Sequence, residues 1–242
     1  MKRWEDLPVA MRTPEVRPYY DALRRKWVGR FLKRAFDVLL SLVLLVLLLP
    51  LFLLLAVAIK LDSRGPVFFR QTRVTRYGRT FRIHKFRSMK VRTDPGASVT
   101  VKDDPRVTRV GRFIRRFRLD EISQLIDVLE GKMTLVGTRP EVPEYVAAYT
   151  PEMTATLLMP AGVTGLASIR FKDEAELLES AENADEVYLR KILPEKMKYN
   201  LEELSRVGVA HDLGILAKTL FAALGGGEGK KNEKTESEDK HD

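Results

Sequence analysis

The sequence predicts a mostly helical α+β fold. In this fold a re-entrant membrane helix–break–helix precedes a small cytoplasmic globular domain that has short strands and amphipathic interfacial helices. Three observations lead to this expectation. Residues 38–59 form one apolar run with a proline just past its middle. Several later segments carry apolar residues at helical spacing. Short β-branched and aromatic stretches near glycine indicate strands.

The composition limits the kinds of chemical site that the chain can form. The chain has 242 residues, a formal net charge of +9 and no cysteine, which excludes a disulfide framework and a thiolate metal site. His84, His211 and His241 are widely separated, which argues against a histidine-based metal site or a Ser-His-Asp triad. The basic balance suits a membrane surface or a phosphate-rich ligand, with nucleic acid as the rival partner.

The apolar run at residues 38–59 is interrupted only by Ser41 and Pro50. As a helix it would be about 33 Å long, enough to cross the hydrocarbon core once. Three interpretations compete: a spanning helix, a cleaved signal peptide with Ala56-Val57-Ala58 as its cleavage site, and a re-entrant hairpin.

Two features favour the hairpin. Pro50 has no N–H for the carbonyl of Val46, so it kinks or breaks a helix. Both flanks are basic, whereas positive residues concentrate on the cytoplasmic side of a membrane. A hairpin keeps both flanks on that side. The basic flanking residues are Arg24, Arg25, Lys26, Arg30, Lys33, Arg34, Lys60, Arg64, Arg70, Arg73 and Arg76.

The chain is therefore expected to have four parts. Residues 1–30 form a loose N-terminal extension, residues 31–61 the membrane hairpin, residues 62–224 the cytoplasmic domain and residues 225–242 a disordered tail. A helix over about residues 19–37 leads into the membrane. It carries Lys33, Arg34 and Asp37, and a carboxylate so close to lipid needs a partner.

The first part of the domain is predicted to hold a hairpin and a loop. Residues 67–69 and 80–83 indicate strands, with a turn at Tyr77-Gly78. Residues 93–104 are polar and predict a loop. Asp103-Asp104-Pro105 is a candidate metal-binding pair, although a turn or helix cap is the simpler interpretation.

Residues 107–118 predict a short amphipathic helix with a dense cationic face that includes Arg115. This face is either simply solvated or a platform for phosphate or lipid headgroups, because guanidinium groups bind phosphate oxygens bidentately.

Asp120 and Glu121 are expected to open the next helix, which ends at Gly131. Carboxylates at a helix start are usually caps. Here the upstream arginines suggest a second interpretation, in which one carboxylate is held ionised as a nucleophile or metal ligand and the other shares the metal or moves a proton.

The rest of the domain is expected to alternate turns and helices. Val136-Gly137-Thr138-Arg139-Pro140 predicts a turn that offers backbone N–H groups and a guanidinium to an anion. The other expected elements are a helix over residues 141–158, a turn over 160–165, a strand over 167–170, a solvated charged helix over 174–206 broken near Pro194, and an amphipathic helix over 211–224 that lies on the bilayer or packs on the core.

The ordered set of motifs resembles the bacterial sugar transferases known as monotopic phosphoglycosyl transferases over residues 31–224. The motifs are Lys33-Arg34-x-x-Asp37 before an apolar run with a central proline, Lys85-Phe86-Arg87-Ser88-Met89, Leu119-Asp120-Glu121, and Val136-Gly137-Thr138-Arg139-Pro140. The resemblance implies transfer of a sugar-1-phosphate from a UDP-sugar to polyprenyl (undecaprenyl) phosphate, giving polyprenyl diphosphosugar and UMP. It also implies a re-entrant hairpin broken at Pro50.

The resemblance further implies which residues act. Asp120 would be the nucleophile that forms a phosphosugar-aspartyl intermediate, with Mg²⁺ bound at Asp120 and with Glu121 as the second member of the dyad. The candidates for phosphate contact are Arg115, Arg139, Lys85 and Arg87.

The resemblance also implies partners and a location. The partners would be the UDP-sugar, polyprenyl phosphate and membrane lipid, without nucleic acid, and a homodimer is left open. The location would be the cytoplasmic face of a bacterial inner membrane. Two alternatives stay open: a non-catalytic membrane-anchored scaffold that binds lipid headgroups, and an anchored nucleic-acid-binding protein that uses the arginines of residues 106–118.

Overall fold

The computed structural model describes residues 1–90, 106–172, 174 and 183–223. This part of the chain is mostly helical with two small sheets, as the sequence predicts. The α-helices are α1 (Arg17–Arg25), α2 (Trp27–Asp62), α3 (Arg109–Arg116), α4 (Gln124–Leu129), α5 (Pro143–Val146), α6 (Leu166–Arg170), α7 (Ala184–Val187), α8 (Leu193–Leu204) and α9 (Val209–Ala223). The strands are β1 (Phe68–Val74), β2 (Thr80–Phe86), β3 (Met133–Val136) and β4 (Ala161–Thr164). Four 3-10 helices (Trp4–Asp6, Val9–Met11, Arg76–Gly78, Glu152–Leu158) and a π-helix (Tyr188–Ile192) complete the described elements.

Helix α2 contains the whole apolar run and is long and apolar enough to cross a membrane. The helix continues through Pro50, so the predicted break into two helices at this residue is wrong. Proline inside a helix removes one backbone hydrogen bond and can bend the helix without ending it.

Both halves of α2 pack on the globular domain. Before Pro50, the side chains of Phe36, Leu40 and Leu44 contact a core cluster that includes Leu125 and Met133. After Pro50, a second stretch packs against Phe86 and Ile114, and its residues are Leu51, Phe52, Leu55 and Ile59. The helix therefore follows the domain along its length instead of leaving it.

The opposite face of α2 is apolar and exposed. Soluble proteins rarely expose a continuous apolar surface of this kind, which marks a membrane or protein contact. The exposed residues are Val38, Leu39, Leu42, Val43, Val46, Leu47, Leu49, Leu53, Leu54, Val57 and Leu61.

Residues 1–30 are more firmly packed than the loose extension predicted from their prolines. Leu7, Met11 and Tyr20 are buried in a cluster that also contains Leu158 and Leu204 of the domain. Apolar side chains spaced along this segment pack against the domain. Proline restricts only the backbone, so the neighbouring side chains can still be buried.

Strands β1 and β2 form the predicted antiparallel hairpin, in which Phe68 faces Phe86 and Val74 faces Thr80. The turn contains Tyr77 and Gly78, whose φ values are 61° and 71°. Glycine adopts this conformation without a steric cost, whereas tyrosine is strained there.

Strands β3 and β4 are parallel, which corrects two predictions. Residues 161–164 form strand β4 inside the expected turn, and residues 166–170 form helix α6 where a strand was expected over 167–170. Strand β4 forms because it pairs with the distant strand β3. The sequence shows only the local turn signals of Pro160 and Gly165, so a turn was predicted there.

Three helix predictions also need correction. The expected helix over residues 141–158 is instead α5 and a 3-10 helix separated by turns. Asp120 and Glu121 lie in turns ahead of α4 and not in its first turn. Pro194 lies in the first turn of α8, where proline is tolerated, so it does not break the helix.

The charged segment over residues 174–206 is not a solvated layer in its described part. Tyr188, Leu193 and Met197 are buried, and so are the charged residues Lys196 and Glu203. Lys196 is buried beside the carboxylates of Glu141 and Glu174, and Glu203 accepts a hydrogen bond from the Leu166 amide. The predicted loop over residues 93–104, the pair Asp103-Asp104 and the tail over residues 225–242 lie outside the described residues.

A buried ionic cluster joins α2 to the domain. Lys33 Nζ donates to the carbonyl of Val136 at 2.9 Å and to the carboxylate of Asp212. Asp37 lies 3.8 Å from Lys33 Nζ, and its carboxylate accepts hydrogen bonds from the Thr134 hydroxyl and the Leu135 amide. The carboxylate of Asp37 thus has the partner that the sequence requires.

Lys33→Met should destabilise the fold by about 3–5 kcal/mol, because it leaves two buried carboxylates without their cation. Denaturant unfolding in detergent, followed by circular dichroism, measures this loss. The matched control is Lys198→Met, which removes an exposed pair with Glu195 and should cost less than about 1 kcal/mol. Equal costs for the two variants would contradict a stabilising role of the cluster.

Candidate active site

A polar cavity of about 360 Å³ brings most of the predicted site residues together. Asp120 and Glu121 line it with Lys85 at the end of β2, Arg139 after β3, and Arg115 in α3. These residues come from three separated stretches of chain, at residue 85, residues 115–121 and residue 139. The cavity therefore exists only when the domain is folded.

The turns after α3 fix the position of Asp120. Arg118 has a φ of 52°, which reverses the chain after α3 at a cost in backbone strain. The carbonyl of Asp120 then accepts hydrogen bonds from the Phe86 amide at 3.1 Å and from the Ser123 hydroxyl at 3.1 Å. The backbone beneath the carboxylate is thereby attached to the end of β2.

Arg139 is positioned by a close approach of two glycines. Gly137 donates its amide to the carbonyl of Thr164, and Gly162 donates to that of Thr138 at 2.7 Å. A Cβ atom on Gly162 would lie 2.3 Å from the backbone nitrogen of Gly137, so only glycine fits here. The chain leaving β3 is thus held against β4 immediately before the arginine.

The two carboxylates have different partners. Arg139 Nη2 donates to Glu121 Oε1 at 2.5 Å, and Lys85 Nζ lies 3.4 Å from the same oxygen. Asp120 Oδ2 lies 3.9 Å from Lys85 Nζ, beyond hydrogen-bond distance. Glu121 is therefore anchored by two cations, whereas the carboxylate of Asp120 is held less tightly and lines the cavity.

The environment also separates the two acids in pKa. Burial raises the pKa of Asp120 above its usual value, and the charge of Glu121 adds to this while Lys85 and Arg139 oppose it. Burial would also raise the pKa of Glu121, but Arg139 and Lys85 hold it well below the usual range. Pairs of carboxylates that are separated in this way typically take different chemical roles.

The cavity is lined by more basic than acidic side chains. Arg73, Arg118 and Lys172 line it in addition to Lys85 and Arg139. Burial lowers the pKa of Arg73 and of Lys85. Such a lining suits a multiply charged anion such as a diphosphate.

The cavity is also lined by a network of buried residues that the sequence did not reveal. The Tyr188 hydroxyl donates to Glu141 Oε1 at 2.6 Å and accepts from Lys196 Nζ at 2.9 Å. Lys196 also donates to Glu174 at 2.9 Å, and the ring of Tyr188 stacks on that of Tyr145. Tyr188 begins the π-helix, a feature frequent at functional sites, but no periodicity in the sequence indicated it.

Arg87 lies away from the cavity, which does not support its predicted contact with phosphate. Its guanidinium donates to the carbonyls of Ile59, Ser63 and Arg64 at the end of α2. Helix ends leave carbonyls without partners inside the helix, and Arg87, directly after β2, supplies donors to three of them. Arg87 therefore caps α2.

The described residues contain one cluster with the spacing of a metal site, formed by His84, Asp127 and Glu130. Both Asp127 oxygens already accept from His84, one from its backbone amide and one from its ring, and Arg70 contacts the other ring nitrogen. This cluster lies outside the cavity and is explained by its internal hydrogen bonds.

The site is suited to chemistry on a phosphate. A carboxylate with few hydrogen bonds faces a cavity lined by lysine and arginine side chains, and a second carboxylate is fixed beside it. Phosphoryl transfer depends on such positioning and charge neutralisation.

Comparison with known proteins gives consistent matches. A family model described as bacterial sugar transferase matches residues 28–226. The chain is 37% identical over 209 residues to a UDP-glucose:undecaprenyl-phosphate glucose-1-phosphate transferase of Escherichia coli, covering 84% of this chain and 42% of that protein. It is 46% identical over 142 residues to a Caulobacter vibrioides protein of the same name, covering 57% and 53%.

A third relative has a different sugar in its name. The chain is 42% identical over 143 residues to a UDP-N-acetylgalactosamine-undecaprenyl-phosphate N-acetylgalactosaminephosphotransferase of Aeromonas hydrophila, covering 57% of this chain and 34% of that protein. The chain thus spans about a third to a half of the length of these relatives.

Proposed function

The chain belongs to the bacterial sugar transferase family, and from this premise we propose that it transfers a sugar-1-phosphate from a UDP-sugar to polyprenyl phosphate. The products are polyprenyl diphosphosugar and UMP, and the reaction would begin the synthesis of a glycoconjugate. The donor and the acceptor are taken from the names of the relatives, which specify UDP-sugars and undecaprenyl phosphate.

One observation carries this proposal. Asp120 and Glu121 are neighbours in one cationic cavity, yet Glu121 is bound by Arg139 at 2.5 Å, whereas among the described residues the nearest cation to Asp120 lies at 3.9 Å. A nucleophile must be free to approach phosphorus, and a supporting residue must stay in place. The geometry favours Asp120 for the first task and Glu121 for the second.

The proposed reaction has two displacement steps. A carboxylate oxygen of Asp120 attacks the sugar-bearing β-phosphorus, the bond from this phosphorus to the bridging oxygen breaks, and UMP leaves with that oxygen. An oxygen of polyprenyl phosphate then attacks the same phosphorus, and the bond to Asp120 breaks. The enzyme returns to its starting state, and the lipid carries the diphosphosugar.

The basic residues would neutralise the charge of the substrate phosphates and hold them in position. Lys85 and Arg139 lie beside the dyad, where they would neutralise the oxygens of the transferring phosphate. Arg115, Arg118 and Arg73 also line the cavity and would hold the rest of the diphosphate. Glu121, ionised by its two cations, keeps Arg139 in place.

Mg²⁺ fits this site through Asp120. Two adjacent carboxylates cannot by themselves complete its six oxygen ligands, but Mg²⁺ characteristically binds one or two carboxylates together with substrate phosphates. The loosely held carboxylate of Asp120 would hold the ion, which would supply charge neutralisation to the diphosphate.

We also propose that α2 is re-entrant, as a single helix bent at Pro50 that enters and leaves the membrane on one side, with the domain on the cytoplasmic face of the bacterial inner membrane. Support comes from the packing of both halves of α2 on one domain, and from the basic residues at both of its ends. Exposed aromatic residues in α3 (Phe113) and directly after it (Phe117), and apolar residues of α9 (Leu213, Leu220, Phe221), would add contacts at the interface.

A transfer assay tests the function. Purified protein with Mg²⁺, undecaprenyl phosphate and either UDP-glucose or UDP-N-acetylgalactosamine should release UMP and form a lipid-linked phosphosugar in equal amounts. A panel of further UDP-sugars identifies the donor if these two are poor substrates. Binding of lipid headgroups without product from any donor in the panel would favour the scaffold alternative.

The pH profile should depend on Lys85. Asp120 must be ionised to attack, so activity falls as the pH falls through its pKa, and this acid limb lies above the usual aspartate value because the pKa is raised. Lys85 is the largest influence that lowers this pKa. Lys85→Met should therefore move the acid limb of kcat to higher pH and reduce its maximum.

The matched control for this change is Lys132→Met. Lys132 is paired with Glu130 outside the cavity, so its removal should leave the pH profile unchanged. An acid limb in Lys85→Met that coincides with that of the unmodified protein would contradict the assignment of this limb to Asp120.

A further inference from the structure

A second cavity, of about 270 Å³, lies beside the start of α2. It is bounded by α2, by the turn between β1 and β2, and by Met159 and Pro160. It shares no lining residue with the candidate active site. The reaction proposed above gives it no role.

The cavity is strongly cationic. Arg30, Lys33, Arg34 and Arg76 line it, and Asp37 is the one carboxylate among its described lining residues. Two of the four cations are already engaged. Lys33 is held by Asp212 and by the carbonyl of Val136, and Arg34 donates to the carbonyls of Val128 and Met133.

Arg30 and Arg76 are left without a counter-charge. Within the described residues, no carboxylate lies within 4.0 Å of either guanidinium. The Nε atoms of both are buried and have no hydrogen-bond partner there, and the two charges repel each other. Arg76 has a neutral partner in the hydroxyl and ring of Tyr77.

This arrangement is costly unless an anion occupies it. A buried N–H without an acceptor costs free energy, and the two guanidinium charges in one cavity repel each other. A phosphate supplies both the negative charge and several acceptor oxygens. The cavity can thus hold a phosphate that bridges the two arginines.

The rim of the cavity is apolar and aromatic. Trp27 and Phe31 line it, and they are 66% and 68% exposed. They precede the exposed apolar face of α2, which begins at Val38. Aromatic rings beside basic residues are typical of the level of lipid headgroups in a bilayer. A ligand that combines a phosphate with an apolar tail suits this surface better than a soluble phosphate does.

We propose that this cavity binds an anionic phospholipid, with the headgroup phosphate between Arg30 and Arg76 and the acyl chains over Trp27, Phe31 and the apolar face of α2. The inference rests on the membrane placement proposed for α2. The bound lipid would fix the depth at which the start of the helix, and with it the domain, sits in the membrane.

Lipid retention in native mass spectrometry tests the proposal. The protein in detergent micelles is given equal amounts of phosphatidylglycerol and phosphatidylcholine. The unmodified protein should retain one phosphatidylglycerol in preference to phosphatidylcholine. Arg30→Gln/Arg76→Gln should lower this occupancy at least about tenfold, because it removes the charge-assisted hydrogen bonds of both arginines.

The matched control is Arg24→Gln/Arg25→Gln. It removes the same charge from exposed positions of α1, so it should retain the lipid like the unmodified protein. Thermal unfolding confirms that both double variants are folded, and the single variants Arg30→Gln and Arg76→Gln each provide a second measurement. Equal phosphatidylglycerol occupancy in the two double variants would overturn the proposal.

Two further arms distinguish the source of the phosphate. Millimolar inorganic phosphate should not displace phosphatidylglycerol, because it lacks acyl chains, and full displacement would overturn the proposal. Retention of undecaprenyl phosphate with exclusion of phosphatidylglycerol would also overturn it, since the cavity would then be an acceptor site. Lipid retention is measured without a UDP-sugar, so its result is independent of the transfer reaction.

Discussion

Asp120→Asn should reduce transfer of the phosphosugar at least about a thousandfold, because an amide cannot replace the attacking carboxylate. The loss should appear in kcat for every donor, and in UMP release as well as in lipid-linked product. The fold should survive the change. Burial raises the pKa of Asp120, so the ionised carboxylate destabilises the folded state at neutral pH, and removing its charge should leave the melting temperature unchanged or higher.

Two further variants test whether the loss of activity is specific to the carboxylate of Asp120. Asp120→Glu keeps the charge but moves it by one methylene, and a misplacement of this size should cost about a hundredfold. Asp127→Asn removes a buried carboxylate outside the cavity that accepts from His84, so it should lower stability more than it lowers kcat of the folded fraction. Near-normal turnover in Asp120→Asn would show that another group carries the reaction.

Arg139→Gln should reduce kcat about 100- to 1,000-fold, the range expected when one preorganised group that stabilises transition-state charge is lost. It should also free Glu121, whose depressed pKa depends first on Arg139. The pKa of Glu121 should then rise, so a second group would titrate on the acid limb. A steeper pH dependence on that limb is the specific sign of this change.

Arg139→Lys and Arg79→Gln are the matched controls. Lysine keeps the charge without the planar fork of arginine, so it should restore only part of the activity. Arg79 is exposed beyond the turn of the β1–β2 hairpin, and its replacement should leave kcat unchanged. Full activity in Arg139→Gln, with an unchanged pH profile, would exclude the proposed role.

The elements with strong local signals were predicted well. The β1–β2 hairpin follows from alternating residues around Gly78, and α3 from apolar residues between arginines after Thr108, whose hydroxyl accepts from the Gly111 amide as an N-cap. The cluster of Lys85, Asp120, Glu121 and Arg139 was also anticipated, since each of these residues belongs to a recognisable motif.

Features set by distant contacts were not predictable. Strand β4 owes its conformation to pairing with β3, which the intervening sequence does not encode. Arg87 was assigned to phosphate because sequence cannot show that the carbonyls at the end of α2 lie within its reach. Lys196 was predicted to lie in a solvated helix, yet in the folded chain its ammonium group contacts Tyr188, Glu141 and Glu174.

The arrangement of α2 is informative for the same reason. Composition alone leaves a spanning helix and a hairpin almost equally favoured, and Pro50 does not end the helix. The packing of residues on both sides of Pro50 against one domain is what supports a re-entrant placement, and it depends on tertiary contacts. A spanning helix would need one half to leave the domain.

The central claim is that Asp120 carries the phosphosugar during turnover, and intact-protein mass spectrometry tests it most directly. Protein is mixed with Mg²⁺ and the UDP-sugar identified as donor, without polyprenyl phosphate, and is quenched rapidly in acid. The account predicts a mass gain of one sugar phosphate, located on Asp120 by peptide mapping and absent from Asp120→Asn. Undecaprenyl phosphate added before the quench should remove the adduct. Enzyme that forms lipid-linked product when the acceptor is added, but carries no adduct in samples quenched before that addition, would contradict it.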